Sequence, residues 1–337
     1  MYYQKRDIQR LYILACLLVV CFFCSLLLGR YPIDPRTLFM TLLSQIVPVT
    51  VTWPLTVEIV LFEVRLPRVI MGCLIGAGLS TSGCAYQNIF QNPIVSPDIL
   101  GASHGAGFGA ALGIFLGFGY MSISISAFFA GLAAVGLVCL ISLKFHGNKK
   151  LGIVLIGIMV GSIGAAGISY IKLVADTNDQ LPAITYWLMG SLAGVRNRDV
   201  VLAAPLIIAG MTPLFLLRWK INILTIGDEE AQSMGINASK LRAIVILCAT
   251  LVTSACVSVS GIIGWIGLVV PHLARILVGS DCRRAMPASA LLGGCFLLIV
   301  DNFARLITTS EIPLGILTAF VSAPFFFYLI LKEGNRL

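Results

Sequence analysis

The sequence predicts an all-α polytopic membrane protein with about ten transmembrane helices per subunit, and three observations carry that prediction. Of 337 residues, 58% are hydrophobic and 11% charged, with a mean hydropathy of +0.97; an ordinary soluble domain is about 25% charged. Apolar stretches of the roughly 20 residues that cross a bilayer fill nearly the whole chain. Residues 1–337 therefore form a single transmembrane domain with no room for a soluble one. Glycines recur at helical spacing inside those stretches, the pattern of closely packed membrane helices.

The first span, 11–29, follows Lys5, Arg6 and Arg10 as a signal peptide would. Its apolar run is longer than a signal core, and Gly29-Arg30-Tyr31-Pro32 is not a small-residue cleavage site, so a retained helix is expected. The second span, 66–86, opens on Arg65-Leu66-Pro67-Arg68, with Pro67 suited to a first helical turn. It carries Gly72, Gly76, Gly78 and Gly83. The run breaks at QNPIVSP (91–97) and resumes as a third span, 97–117, with Gly101, Gly105, Gly109, Gly113 and Gly117 at every fourth residue. That stripe is a smooth face for a neighbouring helix or the lining of a pore. Spans four and five cover 122–144 and 151–173, the latter with a shorter stripe of Gly157, Gly161 and Gly164. The remaining spans are 199–218, 240–260, 266–280, 285–306 and 313–331, the eighth weakened by Pro271. LPRVIMGCLIGAGLSTSG (66–83) is similar to LRAIVILCATLVTSACVSVSG (241–261), which makes helices 2–5 and 7–10 a weak inverted repeat of the kind transporters use.

Charge placement orients the chain. With both termini cytoplasmic, 15 of the 23 Lys and Arg fall in cytoplasmic segments, while Asp and Glu divide about evenly, as the positive-inside rule expects. The net charge of +8 sits in short loops between apolar runs, so it marks orientation in lipid and not nucleic-acid binding. The ten cysteines lie scattered through apolar runs without CxxC pairs and read as small buried hydrophobes. His104, His146 and His272 lack metal-ligand spacing, so no metal site is expected; His272, after Pro271, is placed at a helix start in a packing or capping role.

The chain has no GxxxxGK[ST] phosphate loop and therefore no P-loop nucleotide site of its own. Asp301 is the one acid well inside a predicted span, and Arg305 one turn on makes a structural ion pair the simple reading. Arg65, Arg68 and Arg305 map to the outer face, either snorkelling at the interface or forming a basic rim for an acidic partner. Between spans six and seven lies a cytoplasmic loop, 225–240, with a helical pattern. Asp228 is placed as its N-cap, Glu229 and Glu230 favour the N-terminal end, and Gly235 closes it in a left-handed cap. A helix this short is marginal in water, so a docking partner accounts for it.

RLPR…G…G…SG…Q…NP…P…LG…GAG (65–107), GDEEAQSMGI (227–236), GIIGWIGLVVPHLAR (261–275), VDNFAR (300–305) and EIPLGILTAFVSAPFFFYLI (311–330) resemble the FecCD-type permeases. These are membrane subunits of type II ABC importers for iron–siderophores, haem and vitamin B12, with molybdate and tungstate importers among them. The resemblance implies a homodimer with the path at its two-fold axis, two ATP-binding cassette ATPase subunits inside, and a periplasmic or lipid-anchored binding protein outside. It implies a bacterial inner-membrane location, no cofactor in this chain, and ATP and Mg on the partner ATPase, so the chain is not itself an enzyme. By this resemblance Arg65, Arg68 and Arg305 meet acidic residues of the binding protein. Asp228, Glu229, Glu230, Ala231, Gln232, Ser233, Met234 and Gly235 form the coupling helix. Asn92 and Pro93 lie near the cytoplasmic gate, and the start of the fifth span, Lys149, Lys150, Leu151 and Gly152, matches the other gate segment. Gly157 and Gly161 extend that segment as pore candidates. The cargo is a metal chelate or a metal oxyanion, and no path residue decides between them. An ion-coupled secondary transporter is the alternative, with the inverted similarity as its best argument; a membrane sensor would need a soluble signalling domain.

Overall fold

A computed structural model describes residues 2–48, 50–145, 147 and 149–334, and every regular element among them is helical. Each of the ten apolar segments holds a helix: α1 (Tyr2–Leu27), α4 (Leu66–Ile89), α5 (Ala102–Phe115), α6 (Tyr120–Ser142), α7 (Lys149–Val174), α9 (Asn197–Ile223), α11 (Ala238–Ser260), α12 (Ile266–Val278), α13 (Cys282–Leu306) and α14 (Leu314–Gly334). Shorter helices fill the connections: α2 (Pro35–Leu43), α3 (Leu55–Glu58), α8 (Gln180–Met189) and α10 (Asp228–Ser233). Six helices, α1, α6, α7, α9, α11 and α13, are long and apolar enough to cross a membrane by length and composition. His146 lies outside the described residues, as does the side chain of Lys149.

The centre of the bundle is α4, buried on nearly all sides and packed against α9, α11, α12 and above all α13. Glycine makes that packing possible. A Cβ on Gly76 would stand 2.1 Å from the carbonyl oxygen of Gly293, and one on Gly83 would stand 1.8 Å from that of Gly267. Two backbones touch at each point, which no larger residue permits. The stripe on α5 has the same use: Gly105 and Gly109 receive Ala134 and Ala130 of α6. It is a packing face.

Three departures from the sequence expectation have physical causes. The second span does not begin at residue 66: α3, a π-helical turn (Ile59–Arg65) and α4 run on continuously. Pro67 lacks an N–H and crowds the preceding turn, and the widened π turn relieves both problems. The third span begins with a 3-10 turn (Pro97–Leu100) and a left-handed Gly101 (φ +81°), so its α-helix is only 14 residues long. The eighth helix starts at Ile266, which leaves Pro271 and His272 inside α12, not at its beginning.

Candidate functional site

Two polar constructions stand at opposite ends of α4, whose 24 residues separate them by about 36 Å at the helical rise. At the first end lie the three arginines expected to form a docking rim, and the structure turns their side chains into the bundle. Arg65, Arg68 and Arg305 are only 3%, 6% and 6% exposed, and Asp301 between them 1%. Most of their donors are used inside the chain, although the buried Arg305 Nε makes no hydrogen bond. Arg68 donates to Asp301 through Nε (3.0 Å to Oδ1 and 3.1 Å to Oδ2) and Nη2 (2.8 Å to Oδ1), and to Glu311 through Nη1 (2.9 Å) and Nη2 (2.8 Å). Arg65 Nη1 donates to the carbonyls of Leu26 (2.7 Å) and Leu27 (3.0 Å), and Nη2 to that of Tyr31. Arg305 Nη2 donates to the carbonyl of Ser25 (2.7 Å) and to Asn302 Oδ1.

The last carbonyls of α1 have no intrahelical partner and carry the negative end of its dipole. Arg65 and Arg305 satisfy both demands, while Arg68 clamps α13 and the loop before α14 onto α4. Asp301 does stand 3.6 Å from Arg305 Nε, as the sequence suggested, but its principal partner is Arg68. These arginines hold the end of the bundle together. The cations exposed near this end include Arg30 and Arg36 on the α1–α2 segment and Arg196 and Arg198 at the start of α9.

The other end carries α10. Its closure is a Schellman motif: the N–H of Ile236 bonds to the carbonyl of Ala231 (2.9 Å) and that of Gly235 to Gln232 (2.9 Å), with Gly235 at φ +77° as expected. Asp228 is not the N-cap; Gly227 is, and Asp228 is the first helical residue. The Asp228 carboxylate is instead a tether. Arg242 Nη2 reaches it at 2.9 and 3.1 Å, and Lys150 Nζ at 3.0 Å. Burial draws this carboxyl upward, and the hydrogen bonds from Lys150 and Arg242 outweigh that and hold it below its ordinary range. Ala231 is buried as the helix's anchor, whereas Glu229, Glu230, Gln232, Ser233 and Met234 are not. An open groove of about 590 Å³ runs beside them, lined by Asp228, Glu229, Gln232, Asn237 and Ser239.

The break after α4 lies against this construction. It too closes as a Schellman motif, with Asn92 N–H bonded to Gln87 (3.1 Å) and Gln91 N–H to Asn88 (3.2 Å). Here the left-handed position is held by Gln91 at φ +52°, not by glycine. Gln91 Nε2 donates to the carbonyl of Leu224 (2.7 Å), and its Oε1 accepts from Lys150 Nζ (2.9 Å). Asn92 and Pro93 are exposed, with Asn92 Oδ1 accepting from the N–H of Ile94 (3.0 Å).

The gate candidates on α7 divide. Lys150 faces the break and α10, and Leu151 is exposed. Gly152 is buried where a Cβ would meet the Phe145 ring. Gly157 and Gly161 are buried toward Ile99, Leu100 and Gly101, so they do not line an open path. The exposed face of α7 is Leu155, Ile158, Met159, Ile163 and Tyr170. Sequence reasoning missed Glu311, Gln91 and Arg242. The last two stood where a signal existed, at the residue before Asn-Pro and at the arginine head of the seventh span.

A helical bundle of apolar segments, locked by buried ion pairs at one end and presenting a tethered acidic helix at the other, is a membrane permease of the kind driven through a docked partner. A model described as the FecCD transport family matches residues 17–332. The chain belongs to that family and is a permease subunit of an ABC importer. The molybdate import system permease protein MolB of Haemophilus influenzae is 35% identical over 324 residues, 96% of each chain. The Fe(3+)-citrate import system permease protein YfmE of Bacillus subtilis is 36% identical over 338 residues, covering 99% of this chain and 98% of that one. Among solved structures, one described as an inward-facing conformation of a metal-chelate type ABC transporter matches with a TM-score of 0.86 at 35% identity, over 96% of this chain and 99% of the other.

Proposed function

We propose that two copies of this chain form the path of an importer for a metal chelate, such as an iron–siderophore, ferric citrate, haem or cobalamin, or for a metal oxyanion such as molybdate. The observation that carries this reading is α10: a short acidic helix, braced from behind by Arg242 and Lys150, beside an open groove. Such a helix is held ready for a partner, since helices of this length do not persist in water unaided. In this reading α10 seats in a cleft of a cytoplasmic ATPase, and the excess of Lys and Arg at this end orients it inward. All ten apolar segments then cross a bacterial inner membrane, with both termini cytoplasmic. The uncovered apolar faces of α7 and α14, the latter including Phe320, Val321 and Phe327, lie toward the two-fold axis.

At the outer end a binding protein docks with acidic residues against the exposed Arg30 and Arg36, above the internally paired Arg65, Arg68 and Arg305. The cargo class is proposed from relatives named for molybdate, iron chelatin, Fe(3+)-citrate, cobalamin and hemin. A path faced by apolar side chains binds neither tightly, so selection falls to the binding protein.

The test is to replace residues 229–234 with a Gly/Ser linker and measure both co-purification of the ATPase and uptake into proteoliposomes supplied with molybdate or ferric citrate. Both are expected to fall. Normal uptake with the linker in place would remove α10 from the mechanism.

A further inference from the structure

We propose that Lys150 is a positioning residue for transport, the strut that transmits movement of α10 to the chain break after α4. The inference rests on the reading of α10 as the ATPase-docking helix and deepens it. One ammonium group joins three separate segments: it belongs to the first turn of α7, stands 3.0 Å from Asp228 Oδ1 on α10, and donates to Gln91 Oε1 at 2.9 Å in the break. Gln91 passes the connection on, its Nε2 holding the carbonyl of Leu224 at the foot of α9, 2.7 Å away. Displacing α10 therefore pulls on α7 and on the break together, through a polar link that runs alongside the apolar packing of Ala231 and Ile236 against Ile89, Phe90, Val95 and Ile156.

Arg242 is the other cation on Asp228, and it serves as the fixed point. Its side chain is 4% exposed, it lies on the deeply buried α11, and its Nε reaches the carbonyl of Ile89, the last residue of α4, at 3.4 Å. Lys150 by contrast sits where α7 begins, partly exposed and on a flexible four-carbon stem. One partner anchors α10 to the core and the other links it to the segments around the break.

The backbone at Gln91 supports a role beyond stability. The equivalent closure of α10 uses glycine at φ +77°, where a left-handed conformation is free of steric cost. The break puts glutamine at φ +52°, a strained choice for a residue with a side chain. That side chain is all that the glutamine gains over a glycine, and both its polar ends are engaged by Lys150 and Leu224. Those two hydrogen bonds do no more than offset the strain, so the choice of glutamine is better explained by the connection it completes.

The experiment uses the full complex with its ATPase, reconstituted in nanodiscs, with a genetically encoded spin label at the exposed Ile94 in each copy. Adding a non-hydrolysable ATP analogue is expected to shift the label-to-label distance in the otherwise unaltered chain. In Lys150→Met that shift is lost while the ATPase still co-purifies and hydrolyses ATP, and Lys150→Arg restores it. A loss of fold alone would not produce this split. A Lys150→Met complex that shifts as fully as the parent overturns the strut. If Lys150→Met fails to retain the ATPase, Gln91→Leu, which leaves the Lys150–Asp228 pair intact, decides: loss of the shift supports the strut and an unchanged shift overturns it. Failure of the parent chain itself to bind the ATPase would instead sink the docking reading of α10.

Discussion

Arg68 and Asp301, 233 positions apart in the chain, meet through three hydrogen bonds of 2.8–3.1 Å in a place where neither is more than 6% exposed. Glu311 completes the arrangement, so one guanidinium serves two carboxylates and closes α4, α13 and the loop before α14 into one end of the bundle. Removing one partner of a buried pair leaves an uncompensated charge, at a cost of about 3–5 kcal/mol. Arg68→Met should therefore lower the unfolding free energy in detergent by that order, and Asp301→Leu by a similar amount. A loss under about 1 kcal/mol for Arg68→Met would mean that water already solvates the site.

The pair at Glu311 also sets a pH dependence. Burial raises this carboxyl, but the hydrogen bonds and charge of Arg68 outweigh it and hold the group below its ordinary value. A carboxylate depressed in the folded state contributes stability that is complete above its unfolded pKa, about 4.3, and is lost as pH falls through the lower folded value. Thermal unfolding of the unaltered protein should thus weaken between neutral pH and about pH 3.5 by more than that of Glu311→Gln. Identical pH profiles for the two would remove Glu311 from the account.

Arg65 presents a different case, because its partners are carbonyls. Arg65→Ala leaves the carbonyl of Leu26 unpaired in a buried setting and those of Leu27 and Tyr31 in partly buried ones, at a cost of about 1–3 kcal/mol for each group that water cannot reach. Gly29 makes room for this guanidinium: a Cβ there would stand 2.5 Å from Arg65 Nη2. Gly29→Ala and Arg65→Ala should accordingly destabilise by similar amounts and not additively, since both displace the same group. Additive losses in a double-mutant cycle would show that Gly29 acts elsewhere. Reversal of the exposed Arg36 to Glu should leave stability nearly unchanged and weaken binding-protein docking, measured at low salt.

Much of the bundle was legible in the sequence because lipid imposes one strong rule, that backbone polar groups be satisfied within helices. Hydropathy therefore placed a helix in each apolar segment, and the spacing of Gly105 and Gly109 announced a smooth face, which the structure uses for packing. The arginines at 65, 68 and 305 were legible as a cluster but not as interior groups. Their partners are main-chain carbonyls of α1 and a glutamate in a distant loop, and carbonyls leave no mark in a sequence. Pro67 was legible as a helix start only because nothing announces a π turn. Lys150 and Gln91 could be named as lying near a break, but the contact between them depends on how two distant helix ends fold back on α10.

The close approaches along α4 separate essential glycines from incidental ones. At Gly83 the obstacle is the backbone of Gly267, whose carbonyl oxygen would lie 1.8 Å from an added methyl, whereas at Gly136 nothing lies within 4 Å. Gly136→Ala should be neutral or slightly stabilising, since a helix interior favours Ala over Gly by about 1 kcal/mol. Gly83→Ala must push α4 and α12 apart and should cost at least the roughly 1–3 kcal/mol of an overpacked core. Comparable melting temperatures for the two variants would contradict the backbone contact.

The two Schellman closures make the last prediction, because the same geometry is filled by different residues. Gly235→Val forces a β-branched residue into φ +77° at the end of α10, a cost of about 1–2 kcal/mol, and should loosen the helix and reduce ATPase co-purification. Gln91→Gly does the reverse locally: it releases strain of about 1–2 kcal/mol at φ +52° while removing the bonds to Lys150 and Leu224. The two effects nearly cancel in stability, since a typical hydrogen bond contributes about 0.5–1.5 kcal/mol net. Function should not be so protected, because the glycine cannot transmit force from Lys150. Gln91→Gly should melt within about 1 kcal/mol of the parent yet import less per ATP hydrolysed. A variant that melts normally and imports normally would leave the strained glutamine without a purpose.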